Sequence, residues 1–465
     1  MSAVSKKRIW GWMAFDWASQ PFYTLGLTFV FGPYFAAVAT EYYLGTGLDE
    51  GAADAQAQWI WFLGQLFAGL AIAFSAPFLG AFADNSGRKL PWIAFFSVVF
   101  VVASWSLWGL TPDGAGLIFS LIVFYTGFFA AESALNFVNA ILPSLGDDKE
   151  IGRISGSGAA FGYWGGVLSL AIMLAFFVEE PSTGLTRLGN PPLFGLDGTL
   201  LEGTRAVGPF IAIWFIIFMI PFFLYVRDGK NVQSKPTNLG AVWGELRETL
   251  VDVTQRKSLF SFLLGSMFYR DALNAIYAAG GVYAVLVLGW TQFQIGIYGI
   301  VAAISAAILT WAGGLADRRY GPKPVIRVCV WLLILVSLFI VGMSRENLFG
   351  VPLAEGSLLP DYIFYACGVV IGGAGGSIYA ASRSMMVRHT DPERPTEAFG
   401  LFALSGKATA FLAPGLIALF TWGTGSAQLG YLPLIFLFLL GLILLRWVNK
   451  DGDRKEWSAS QQSLA

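Results

Sequence analysis

The sequence is poor in the side chains that most chemistry needs. It has one histidine, His389, and two cysteines, Cys329 and Cys367, in 465 residues. Bis-histidine haem requires a second imidazole, and iron–sulfur clusters and structural zinc require more thiolates. Two cysteines do not make a disulfide framework. Both lie in apolar stretches, as small buried side chains do. Charge is scarce too: 13% of residues are Asp, Glu, Lys or Arg, about half the ~25% of soluble domains. Phosphate loops are missing as well. "GSGAAFG" (156–162) follows no strand, while "GLFALSGKA" (400–408) has its first glycine one residue too far away and Ala408 where Ser or Thr belongs. We therefore expect no metal, no cofactor, no nucleic-acid partner and no enzymatic activity.

What is present is apolar surface. Hydrophobic residues make up 56% of the chain, with 55 glycines. Such a chain must bury its exterior in lipid. A spanning helix needs ~20 mostly apolar residues. Twelve such segments are predicted: 10–39, 59–82, 90–110, 116–142, 153–178, 207–227, 259–288, 292–316, 324–343, 361–388, 398–422 and 430–448. Only helices suit these lengths, because lipid leaves each backbone group to be satisfied within its own segment. "MSAVSKKRIW" leads straight into the first span with no small-residue cleavage site, so that helix is expected to remain.

Lys and Arg set the orientation. With the N-terminus inside, cytoplasmic segments carry 23 of the 29 basic residues; the outer loops carry Arg187, Arg205 and Arg345, and the spans carry Arg270, Arg383 and Lys407. Both termini are expected to be cytoplasmic. The polar segment 228–258 divides the spans six and six and includes an amphipathic stretch, "LGAVWGELRETLVDV", suited to the membrane surface. The expected organisation is a bundle over 1–227, a linker over 228–258, a second bundle over 259–448 and a tail over 449–465.

The two halves repeat. "GAFADNSGRK" (80–89) after span 2 matches "GGLADRRYGPK" (313–323) after span 8, "GRISGSG" (152–158) matches "GLFALSG" (400–406), and Asp16 matches Asp271. The offsets differ, but the outer loop 40–58 is longer than 289–291, and 344–360 is longer than 111–115. Duplicated halves around a midplane site are a mark of secondary transporters.

The loop motifs resemble the marker of the major facilitator superfamily. The first copy is Gly80, Asp84, Gly87, Arg88 and Lys89, with Asn85 in place of the usual Arg; the second is Gly313, Asp317, Arg318, Gly321 and Lys323, with one extra residue before Gly321. Within that superfamily the chain resembles the vacuole-effluxer-like branch, whose yeast member is an amino-acid effluxer of autophagy. The resemblance rests on Phe15-Asp16-Trp17-Ala18-Ser19-Gln20-Pro21, Tyr269-Arg270-Asp271-Ala272, Ser382-Arg383-Ser384 and Phe399 to Ala408. It departs from the branch at Ser19, Gln20, Pro21, Arg270 and Ala272. It implies an all-α integral membrane fold of two six-helix pseudo-repeats and a small-solute transporter. It also implies that the duplicated loop latches the cytoplasmic side; a solvated turn is the other reading.

Candidate site residues follow from polarity inside spans. Asp16, Ser19, Gln20 and Tyr23 fall at i, i+3, i+4 and i+7, one helix face. A central Asp costs ~2.5–3.5 kcal/mol, so Asp16 is expected either to line a cavity and take up a proton or to act as a structural hydrogen-bond partner. Pro21 cannot donate to the helix ladder and is expected either to kink the helix or to be passive. Glu132, Asn136 and Asn139 share a face of span 4, and Asp271 and Asn274 lie in span 7 beside Arg270. With Arg383 and Lys407 they form a set that either holds both ends of a zwitterion or pairs off as ion pairs. Gly158, Gly162 and Gly166 suit close helix packing, and His389 is read as interfacial. The leading function is a proton- or ion-coupled secondary transporter of a small polar solute such as an amino acid, acting as a monomer in a bacterial plasma membrane. The alternative is a lipid or lipid-headgroup transporter on the same fold.

Overall fold

The computed structural model describes residues 5–228 except 181, then 244, 251, 253–288, 290, 292–391, 395–407, 409, 411–424 and 428–453. Several side chains inside helices, those of Asp84 and Lys407 among them, fall outside the description, as does most of the amphipathic stretch expected in the linker.

The described chain is almost wholly helical. The principal helices are α1 (Lys6–Pro21), α2 (Phe31–Gly45), α3 (Glu50–Ser86), α4 (Leu90–Ser106), α5 (Leu117–Asn139), α6 (Asp148–Phe176), α7 (Glu202–Arg205) and α8 (Val207–Tyr225). They continue with α9 (Lys257–Leu286), α10 (Gln292–Tyr320), α11 (Pro322–Gly342), α12 (Leu359–His389), α13 (Pro395–Lys407), α14 (Leu412–Thr424) and α15 (Leu432–Leu444). Proline stands in the first turn of α4, α11, α12 and α15, where its missing N–H costs nothing. Among the described residues nine helical stretches are long and apolar enough to cross a membrane. Each coincides with an expected span. The other three expected spans fall on α3, on α9 and on the pair α13–α14. The only sheet among the described residues is a two-stranded hairpin, β1 (Asn347–Leu348) and β2 (Val351–Pro352), in an expected outer loop.

The chain forms two compact units. The first holds residues 1–74, 87–138 and 161–233; the second holds 75–86, 139–160 and 234–465. The first is built on aromatic packing: Phe22 stacks on Phe124 at 5.0 Å, Phe31 on Phe124 at 5.3 Å, and Phe100 lies 4.5 Å from Phe215. Offset and edge-on pairs at such distances add to simple area burial. Trp12 Nε1 donates to the Val138 carbonyl at 2.8 Å.

A buried carboxylate in the loop after α6 ties this unit at one end. Glu179 is buried, and its oxygens accept the Thr204 N–H at 3.1 and 3.3 Å. Burial pushes the Glu179 carboxyl above the usual glutamate range. A raised folded-state value means that the ionised form is the one the fold disfavours. This contribution to stability is therefore complete below the ordinary glutamate pKa and is lost as pH rises through the folded one. Thermal unfolding against pH is expected to lose part of its alkaline-side decline in Glu179→Gln, which keeps an acceptor for Thr204.

The second unit is held by close crossings of small residues. A Cβ at Gly372 would sit 2.2 Å from the Ala302 carbonyl oxygen, so α10 and α12 touch backbone to backbone. The first turns of α6 meet α10 in the same way: a Cβ at Gly156 would lie 2.5 Å from Gly314 Cα. Such crossings suit membranes, where packing rather than hydrophobic burial joins helices. Gly156→Ala is expected to cost roughly 1–3 kcal/mol by overpacking. An unchanged melting temperature in detergent would show that the crossing is looser than this.

Candidate functional site

In the first unit the polar face of α1 is framed by a change of helix type. Pro21 offers no N–H and its ring excludes the carbonyl four residues back. Beyond it the chain winds as a π-helix over Phe22–Phe29, closed by Val30 N donating to the Leu25 carbonyl at 2.9 Å. Pro21 therefore reshapes the helix, and π-turns of this kind recur at functional sites. Asp16 and Ser19 are buried; Gln20 and Tyr23 are half-buried. The Tyr23 hydroxyl donates to Glu132 Oε1 on α5 at 3.0 Å, and Gln20 Nε2 donates to Thr24 at 3.4 Å. This face lies against the glycines of α6. A Cβ at Gly162 would fall 3.0 Å from the Asp16 carbonyl oxygen, and one at Gly166 would fall 2.6 Å from Thr24 Oγ1. Those glycines leave room for polar side chains. Asn136 is buried on α5.

In the second unit the candidates divide into two groups. Arg383, fully buried on α12, donates through Nε to Ser155 Oγ at 3.1 Å, through Nη2 to the Ser155 carbonyl at 2.8 Å and through Nη1 to Asn139 Oδ1 at 3.3 Å. It also lies 4.7 Å from the Tyr379 ring. Ser155 Oγ in turn donates to the Ala380 carbonyl at 2.9 Å. Ser155, with no charge and no spacing to mark it, went unnoticed in the sequence. The Arg383 fork thus ties segment 139–160 to α12. Close by, Asp317 is 1% exposed and lies so near Gly152 that a Cβ there would be 2.3 Å from Asp317 Cγ. Arg318 pairs with Glu150 at 2.8 Å, and Gly313 fits against Ser377. Gly80 is buried in α3, and Arg88 is exposed beyond it. Both loop motifs contain a glycine with positive φ, Gly87 (φ 67°) and Gly321 (φ 84°), a conformation that disfavours any side chain.

The second group surrounds an interruption. α13 ends at Lys407 and α14 begins at Leu412. Asp271, buried on α9, accepts the Ala413 N–H through Oδ2 at 3.0 Å. Its neighbour Arg270 donates through Nη1 to the Phe402 carbonyl at 3.1 Å, with the guanidinium 4.3 Å from the Phe402 ring. Tyr269 shares a 2.8 Å hydrogen bond with Ser382. Asn274 is exposed on the same helix.

His389 departs from the interfacial reading. It is buried, with Nδ1 3.0 Å from the Met385 carbonyl, Nε2 2.7 Å from Ser258 Oγ and its ring stacked on Phe262. The reason is the chain around it: Arg256 donates both to the His389 carbonyl and to Asp453, so the residues just before α9 and those after α15 meet beside His389.

These helices, their buried charges and their tight crossings agree with the comparisons. The family described as "Vacuole effluxer Atg22 like" matches residues 68–458. The chain belongs to this family. It is 24% identical to the uncharacterized MFS-type transporter YxiO of Bacillus subtilis (strain 168) over 449 residues, covering 95% of this chain and 94% of that one. It is 23% identical to autophagy-related protein 22 of Cryptococcus neoformans var. neoformans serotype D (strain JEC21 / ATCC MYA-565) over 312 residues, 65% of this chain and 51% of the fungal protein. The match thus spans about half the length of that relative. Two solved structures share the fold. The human organic anion transporter MFSD10 superposes with TM-score 0.63 at 15% identity, covering 94% of this chain and 98% of that one. The proton:xylose symporter XylE gives 0.65 at 12%, covering 97% and 98%. This Atg22-like chain is therefore an integral membrane transporter of the major facilitator superfamily, and the family and its neighbours are not enzymes.

Arg383→Lys keeps the charge and loses the planar fork. It is expected to lower stability by about 1–3 kcal/mol, because buried acceptors on Ser155 and Asn139 lose their donor. Thermal unfolding in detergent or nanodiscs checks this; a loss no larger than that of an exposed Arg→Lys control would remove Arg383 from the tie.

Proposed function

We propose that this Atg22-like protein is a proton-coupled secondary transporter that moves a small polar solute, with an amino acid as the leading class, by alternating access. The observation that carries this reading is the buried polar set within otherwise apolar spanning helices: Asp16, Asn136 and Asp271 buried, with Tyr23 and Glu132 bonded to each other. Ionisable groups at such depth cost free energy and in membrane proteins mark solute or proton paths. The reshaped first span and the interrupted helix 395–424 give those paths moving parts. The family name, vacuole effluxer, favours solute export. A named neighbour, the xylose symporter, is proton-driven. The lipid-headgroup alternative is not favoured by the family or by those neighbours.

We assign Asp16, Gln20, Tyr23, Glu132, Asn136, Arg270, Asp271, Asn274 and Lys407 as candidates for solute or proton handling. Arg383, also a candidate for solute or proton handling, is grouped here by role with the gating motif residues Gly80, Asp84, Gly87, Arg88, Gly313, Asp317 and Arg318. In this reading the ties of Arg383 to Ser155 and of Arg318 to Glu150, with Asp317 packed close against Gly152, are the latch of the cytoplasmic side, made and broken in each cycle. The twelve-span count, the duplicated halves with bounds 1–227 and 259–448, and cytoplasmic termini follow from the same reading, supported by the paired positive-φ glycines 87 and 321. A bacterial plasma membrane is supported by the nearly full-length match to the Bacillus protein. We take the working unit as a monomer.

Proton flux into dye-loaded proteoliposomes, with a panel of amino acids, sugars, nucleosides and organic anions, tests the proposal. A solute-specific pH change is expected, reduced by at least about tenfold in Glu132→Gln, as for loss of a positioned acid–base group. Silence across the panel in vesicles holding folded protein would sink proton coupling. Undiminished coupling in both Glu132→Gln and Asp16→Asn would remove those two residues from the proton path.

A further inference from the structure

The interruption between α13 and α14 has a physical cause. Pro414 carries no N–H and its ring crowds the carbonyl four residues earlier, so a helix entering it loses a backbone bond and kinks or breaks there; here it stops, and Pro414 sits in the first turn of α14. The residue before a proline is also turned away from helical backbone. Each new helix end then leaves orphan backbone groups, and the two ends carry opposite dipole charge, negative at the carboxyl end of α13 and positive at the amino end of α14. In lipid such groups are costly unless protein satisfies them.

Two consecutive residues of α9 meet both ends. Arg270 reaches α13: Nη1 donates to the Phe402 carbonyl at 3.1 Å, the guanidinium covers the Phe402 ring, and Gly406 leaves it room, since a Cβ there would lie 2.4 Å from Arg270 Nη2. Asp271 reaches α14: Oδ2 accepts the Ala413 N–H at 3.0 Å in a position 3% exposed. The cation stands at the negative end and the anion at the positive end. A carboxylate on an orphan N–H makes a bond roughly twice as strong as a neutral acceptor does.

We propose that Arg270 and Asp271 splint the interrupted helix 395–424, and that Asp271 is the group through which a proton releases it. As a carboxylate Asp271 holds the amino end of α14; as a neutral acid it loses the charge assistance and α14 is freed to move. Asp271 is thereby a positioning residue that converts proton uptake into a change of helix geometry. The charged surroundings allow this. α14 and α15 carry no titratable residue; α13 carries Glu397 and Lys407, whose side chains fall outside the description. On α12, Arg383 turns to Ser155 and His389 to Ser258; beyond α15, Arg446 lies at the far end of the span; on α9 itself, Tyr269 turns to Ser382 and Arg270 to Phe402. Among the described residues no ion pair engages Asp271, so its charge acts on the amide.

This rests on the transporter reading only for its consequence in transport; the splint can be measured without any solute. Hydrogen exchange by mass spectrometry, on full-length protein in lipid nanodiscs, would follow peptides covering 409–424 in mildly alkaline and mildly acidic buffer, corrected for intrinsic exchange. Wild type is expected to exchange there roughly tenfold faster in acid, with peptides of α11 unchanged. Asp271→Asn is expected to show the fast rate in both buffers, and Asp271→Glu to retain the acid response should Asn fold poorly. Equal protection in wild type and Asn, or an acid response that survives in Asn, overturns the proposal. The flux assay separates the two claims. A splint that responds as expected while no solute moves protons would overturn coupling through Asp271 together with the reading above. Proton-linked transport whose pH profile is unaltered in Asp271→Asn would overturn Asp271 alone.

Discussion

Every feature of this chain depends on one requirement: inside lipid, a backbone amide or carbonyl that leaves its helix must find a partner made of protein. Straight apolar helices meet it without help. Among the described residues the chain departs from them inside expected spans after Pro21 and before Pro414, and each of these departures is answered locally. After Pro21 the hydrogen-bond frame widens into a π-helix, so the backbone satisfies itself. Before Pro414 the helix stops, and Asp271 supplies what the backbone cannot.

The same requirement explains where the charges go. Arg383 donates to the Ser155 carbonyl, Arg270 to that of Phe402, Arg205 to that of Trp108 and Arg256 to that of His389. Asp271 accepts an amide of α14, and Asp228 accepts those of Lys89 and Leu90 at the start of α4. Ionised groups thus serve helix ends and crossings. Beside the ion pairs Arg256–Asp453 and Arg318–Glu150, these bonds to backbone make the charges anchors of main-chain position. An anchor of that kind transmits: moving the charge moves a helix, which pairing two side chains in isolation would not do.

Much of this was legible in advance. The positions of the nine long apolar helices among the described residues followed from apolar length alone, because lipid sets a minimum length for a spanning helix. The first-span polar face was legible from i, i+3, i+4 and i+7 spacing, and the packing role of Gly162 and Gly166 from their repeat. What was not legible shares one trait. Ser155, the Ala413 amide and the Phe402 carbonyl bear no sequence mark, since a backbone group is the same at every position. The acid and base residues were found, but their partners were sought among one another. Burial of His389 was missed for a related reason: Arg256 and Asp453, which meet beside it, are far away in sequence.

Glycine completes the argument. Charges acting on backbone need the backbone to be near, and close approach is what Gly152, Gly156, Gly314 and Gly406 allow. At Gly406 the missing side chain admits the Arg270 guanidinium; at Gly152 it admits the Asp317 carboxylate. Any larger residue would push the charge off the helix it acts on. The high glycine content and the low charge content, which look like separate facts of composition, are therefore connected: few charges, several of them given direct access to a main chain. Among the described residues this keeps the interrupted helix satisfied from side chains on α9 rather than from its own backbone.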